Sequence, residues 1–209
     1  PSIFNPSNSC PIRIHIRRIL PIVHNTLYGV EAHSFVHWAS GVKLIGITIA
    51  ITWNGAARLV AEARACVTSR FGTTDLTGIF PDLVYKCYHA RDLTELYLLR
   101  EYILSVENQP LRDLLKLALT DVLRGAAAAG TGWPYISPRK NTGDKPPKGA
   151  SSLFERTVWR MYRDLRNVVR LDPPPVIQNI LGDSRQRQAL DDGQIDMALT
   201  SPPYLNNYD

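Results

Sequence analysis

The sequence predicts an α/β fold interrupted by a helical insertion, on three observations. Two short apolar segments, LYGVE and VIQNILGD, stop on an acidic residue or a Gly-Asp pair, as strands of an open sheet do. Between them lies a long stretch whose apolar residues recur at helical spacing. Near the end, the apolar run Ile195 to Leu199 leads into SPPY, and Pro202 and Pro203 cannot donate to a sheet ladder. The run is expected to be a buried strand that finishes at about Ser201.

Residues 1–25 hold four prolines, and IRIHIRRIL alternates as a strand would. Next comes a strand expected to end at Glu31, then a helix from about Ser34 carrying Phe35, Val36, Trp38 and Val42. In GVKLIGITIAITW, β-branched and apolar residues let helix and strand compete. Asn54 is placed to cap a helix through about Ser69, with Arg58 and Glu62 four apart and Gly72 beyond its end. Asp92 and Glu95 have capping-box spacing ahead of Leu96, Leu99 and Ile103. Pro110 suits a first helical turn, and Leu111, Leu114, Leu115, Ala118 and Val122 form one stripe before Gly125. The last two helices read as an αα-hairpin.

The segment 130–150 is rich in Pro, Gly and Lys and reads as a loop. A helix follows from about Ser152 to Val169, with Phe154, Val158, Met161, Leu165 and Val168 on one face. Arg156, Arg160, Arg163 and Arg170 fall on the other face. Such a stripe serves either as a solvated helix back or as a phosphate contact, because guanidinium forks match phosphate oxygens. Pro173 to Pro175 stop the helix, VIQNIL is a strand, and Asp183 stands where it can cap a short crossover helix starting at Ser184.

The chain has 209 residues, 44% of them hydrophobic and 21% charged, enough for a substantial core. A formal charge of +5 permits a polyanionic partner without requiring one. Cys10, Cys66 and Cys87 have no CxxC spacing, which argues against a disulfide frame or a zinc knuckle and for a reduced, cytoplasmic protein. The longest apolar stretch, Leu44 to Trp53, is too short to span a bilayer, so no membrane partner is expected. A start on Pro1 and an end soon after SPPY lead us to expect a fragment. His33 and His37, four apart, have the spacing of metal ligands but no evident third ligand, so an exposed helix face is the expectation.

The corner after Leu199 has a definite chemistry. Residues before proline are held extended, and neither proline has an N–H, so the backbone offers only acceptors. The Ser201 hydroxyl or carbonyl and the Pro202 carbonyl suit an exocyclic amino group, which donates two N–H bonds. Tyr204 suits the face of a ring flipped out of its stack. Two acceptors would orient the amino nitrogen and draw off developing positive charge as its lone pair attacks carbon.

TSPPY, and the run GDSRQRQALDDGQIDMALTSPPYLNNYD around it, resembles the S-adenosylmethionine-dependent DNA amino-methyltransferases, which act on N4 of cytosine or N6 of adenine. The resemblance implies an incomplete Rossmann-like methyltransferase domain in which Ser201, Pro202, Pro203 and Tyr204 bind and activate the target base. It places Asp183 near the adenine of the cofactor. GVEAHSFVHWASGVKL is similar to the second strand and following helix of that family, which puts Glu31 on the cofactor ribose hydroxyls. The implied partners are S-adenosylmethionine, DNA, contacted also by the arginine stripe, and a restriction system. The family's glycine-rich loop, of the form D-P-F-x-G-S-G-T, has no counterpart in residues 1–27; the first glycine is Gly29.

The expected organisation is a degenerate start of the core over 1–53, a mainly helical insertion over 54–172, and core strands ending in SPPY over 173–209. Two other readings stay open: the same fold acting on RNA or a protein amide, and a catalytically inactive nucleic-acid-binding remnant.

Overall fold

The protein is described by a computed structural model over residues 26–48, 52–128, 146–167, 176–186 and 190–199. It is mixed α/β and mostly helical, with two strands, β1 (Thr26–Glu31) and β2 (Val176–Leu181). These pair in parallel, in register from Thr26 opposite Val176 to Glu31 opposite Leu181. The strands expected to end at Glu31 and over VIQNIL are present, and the second ends where Gly182 donates its N–H to the Glu31 carbonyl at 3.0 Å; IRIHIRRIL lies outside the described residues.

Helix α1 (Ser34–Thr48) begins where the sequence indicates and resolves the competition in GVKLIGIT in favour of helix. It packs on β2 and on α5, and its seam with β2 is polar. The His37 ring lies with Nε2 3.0 Å from the Asn179 carbonyl oxygen, which fixes the proton on Nε2, and Asn179 Nδ2 donates back to the His37 carbonyl at 2.8 Å.

Helix α2 (Trp53–Arg70) starts two residues earlier than expected. Thr52, not Asn54, caps it, its hydroxyl accepting the Gly55 N–H at 3.0 Å from an extended backbone. Thr52 takes the role because its side chain sits just outside the first turn, where the unsatisfied N–H groups point. The Arg58–Glu62 pair forms at 3.6 Å, and Gly72 lies in a 3-10 turn, Phe71–Thr73, that extends the helix end. After the short α3 (Asp82–Cys87) come α4 (Ala90–Ser105) and α5 (Gln109–Ala126), joined by three residues as an αα-hairpin. Asn108 caps α5, Pro110 sits in its first turn, and the helix runs through Gly125 rather than stopping before it. Helix α6 (Ala150–Arg166) starts earlier and ends earlier than the periodicity suggests, and Val168 lies outside the described residues.

The core is built by helices. Leu59, Val60, Ala63 and Val67 of α2, Leu96, Leu98, Leu99 and Ile103 of α4, Leu115, Ala118 and Val122 of α5, and Phe154 and Val158 of α6 form one buried cluster.

Asp92 and Glu95 do not form the expected capping box. His89 caps α4 through Nδ1, while both carboxylates are buried and serve α6 instead. Asp92, 1% exposed, accepts the N–H groups of Lys148 (2.9 Å), Gly149 (2.8 Å) and Ala150 (3.2 Å), and Glu95 accepts that of Ser151 (2.8 Å). Gly149 reaches this geometry at φ 74°, in the left-handed region that favours glycine. Four orphan donors at a helix start and the positive end of its dipole thus meet two carboxylates from another helix, which offsets the burial of those charges. Lys148 completes the joint, its ammonium donating to the carbonyls of Gly125 and Ala127 at the end of α5.

Residues 195–199 are not a strand. Ile195, Met197 and Leu199 are exposed, Leu199 at 94%. An apolar run becomes a strand only when a neighbour takes its N–H and C=O groups, and among the described residues β2 pairs with β1 alone. No crossover helix starts at Ser184 either; Asp183 is followed by a turn. Among the described residues no helix is long and apolar enough to cross a membrane.

Candidate functional site

The two acidic residues singled out by the sequence lie at the same end of the strand pair. In-register parallel pairing carries Glu31 and Leu181 to the same edge, and Asp183 follows two residues later. This is the carboxyl edge of the pair, where ligands of open α/β sheets bind. Each acid is held by its own turn. Glu31 Oε1 accepts the His33 N–H at 2.9 Å, which holds the carboxylate against the residue just before α1. Asp183 Oδ1 accepts the Arg185 N–H at 2.9 Å, and the Arg185 guanidinium closes on both oxygens, Nε at 3.0 and 3.1 Å and Nη2 at 2.7 Å. These bonds from Arg185 pull the Asp183 carboxyl down from 3.8 to about 2.

The segment beyond the turn reaches back to the middle of β1: Gln194 Nε2 donates to the Tyr28 hydroxyl at 2.6 Å, and the Gln194 side chain accepts the Asp191 N–H at 3.0 Å. Ser201, Pro202, Pro203 and Tyr204 lie outside the described residues, as does Arg170.

The arginine stripe divides. Arg160 turns toward α5, where Asp121 Oδ2 accepts from its Nη2 at 2.7 Å and also from the Thr157 hydroxyl at 3.0 Å. Arg156 and Arg163 instead line an open groove with Trp53, Ser152, Glu155 and Trp159. Glu155 pairs with Arg64 of α2. Among the described residues no carboxylate pairs with Arg156 or Arg163.

The aromatic part of this groove escaped sequence reading. Trp53 stacks on Trp159, ring centres 4.4 Å apart and tilted by 35°, and Tyr162 meets both edge-on at 5.8 and 5.9 Å. The signal available was Trp159 between Arg156 and Arg160 on one helix; its partner Trp53 is far away in the sequence. His37, at metal-ligand spacing from His33, is taken up by Asn179, and no cluster of potential metal ligands occurs among the described residues.

Comparison with protein-family models, curated proteins and solved structures finds no match to this chain.

Proposed function

We propose that this chain belongs to a methyltransferase domain of Rossmann-like type that transfers a methyl group from S-adenosylmethionine to an exocyclic amino group of a DNA base, cytosine N4 or adenine N6. The observation that carries the proposal is the meeting of Glu31 and Asp183 at one carboxyl edge, contributed by strands far apart in sequence whose chain order the resemblance requires. The parallel pairing with α1 against it also supports an open α/β sheet.

The edge fits the cofactor in one respect directly and in another after a small rearrangement. Glu31 spends one oxygen on its own turn, which fixes the carboxylate and leaves the other oxygen to accept from a ribose diol. Asp183 would accept from the adenine amino group only where Arg185 gives way. That side chain is 88% exposed, and ion pairs this open are worth little, so displacing it costs little. When bound, S-adenosylmethionine supplies a methyl activated by a sulfonium. Ser201 and the Pro202 carbonyl would then accept the two amino N–H bonds and aim the nitrogen, and Tyr204 would stack on the base. Arg156 and Arg163 would contact phosphate.

Calorimetric titration of S-adenosylmethionine tests the cofactor half. Binding is expected, weakened on the order of tenfold or more by Glu31→Ala, which removes a charged acceptor; unchanged affinity in both Glu31→Ala and Asp183→Ala would overturn the assignment. Tyr204→Ala should lower DNA methylation far more than cofactor affinity.

A second reading is a nucleic-acid-binding chain without catalysis. Arg156 and Arg163 beside the exposed Trp53 favour it, since cations next to an open ring bind phosphate and base with no cofactor. Titration without heat, together with retained and salt-sensitive DNA binding, would select it.

A further inference from the structure

We infer that the groove between the start of α2 and the outer face of α6 is a binding site for single-stranded nucleic acid, with one base stacked on Trp53 and its flanking phosphates held by Arg156 and Arg163. The inference rests on the nucleic-acid part of the reading above and not on methyl transfer.

Ser152, Glu155, Arg156, Trp159 and Arg163 fall on one face of α6, and Trp53 leans over them from the first turn of α2. The groove is open and has a volume of about 420 Å³, room for a base rather than a whole duplex. Packing explains only part of its composition. Trp159 rests on the core, Tyr162 is buried, and Trp53 covers Trp159, yet Trp53 stays 59% exposed. A large aromatic ring left open at that level marks a contact surface more than a core edge. Every base has a π face, so an open indole takes bases with little sequence preference.

Charge identifies the occupant. Within the groove Glu155 is neutralised by Arg64, and among the described residues Arg156 and Arg163 have no acidic partner. Two cations seven residues apart on one helix face, flanking an aromatic platform, match the alternation of phosphate and base along a single strand. An acidic peptide would satisfy the arginines but not the open indole. A duplex would satisfy the arginines but hides its base faces in its own stack.

Fluorescence anisotropy with a fluorescein-labelled thymidine decanucleotide tests the inference on the intact chain. The oligonucleotide should bind, Trp53→Ala should weaken it about 5- to 150-fold, and Trp53→Phe should largely restore it. The double variant Arg156→Gln, Arg163→Gln should reduce the salt slope, log K against log salt, by about 1.4. Both changes lie on exposed side chains, and circular dichroism checks that the helices persist. The inference is overturned if the oligonucleotide does not bind, if Trp53→Ala binds as the parent does, if Trp53→Ala weakens duplex binding as much as single-strand binding, or if polyglutamate competes at equal charge concentration. Oligonucleotide binding without S-adenosylmethionine binding would sink the enzyme assignment and leave this site standing; the converse would do the opposite.

Discussion

Asp183 shows how much one neighbour decides about a carboxylate. Exposed as the turn is, four contacts from Arg185 hold its carboxyl at about 2. A lowered value in the folded state means that the pair contributes above the unfolded value and that the contribution is lost as pH falls from about 4 toward 2. Because the partners are two residues apart, the unfolded chain keeps part of the same pairing, so the effect on stability is slight. The effect on titration is not. Carbon-detected NMR should find the Asp183 carboxyl titrating near 2, and Arg185→Ala should return it toward its ordinary value of 3.8; an ordinary midpoint with Arg185 present would contradict the geometry. The position of Asp183 was legible from the Gly-Asp end of a strand-like run. The clasp was not, because an Arg two residues on reads equally as a solvated charge.

The joint at the start of α6 gives a prediction for an element. Asp92→Ala leaves the N–H groups of Lys148, Gly149 and Ala150 without their acceptor in a buried setting, and should cost about 2–4 kcal/mol in urea unfolding. Asp92→Asn keeps one carbonyl oxygen and should cost roughly half as much. A loss below about 0.5 kcal/mol for the alanine variant would mean that the joint contributes little. The Asp-x-x-Glu spacing was visible, but its purpose was not: a capping box and a clamp on a distant helix have the same local pattern, and only tertiary approach separates them. The helices themselves were legible because their apolar stripes are long, as with Leu114, Leu115, Ala118 and Val122. Ile195 to Leu199 misled for the opposite reason. Five residues, four of them apolar, carry no period of their own, and a strand is decided by its neighbours.

Across the whole molecule, stability is unevenly shared. Phe154, Leu98, Leu99 and Ile103 are fully buried among the helices, whereas Leu27, Val176, Ile177 and Leu181 of the strand pair remain exposed. Parallel strands normally gain their stability from cover on both faces. Amide hydrogen exchange should therefore find α4, α5 and α6 protected to the global limit and β1 and β2 opening at lower free energy; equal protection would show that the pair is tied to the core more firmly than its burial indicates. The candidate site divides along the same line. Its edge was legible, because acidic strand ends recur in a recognisable order. Its aromatic groove was not, since Trp53 and Trp159 meet only when α2 crosses α6. The register of β1 with β2 also matters to the chain as it is made. Tyr28 leaves the ribosome long before Gln178, and at ordinary rates of translation it waits on the order of ten seconds for its partner. Throughout that delay a nascent edge rich in unmet amides must be kept from other chains, so slower elongation between the two strands should increase aggregation of the newborn protein.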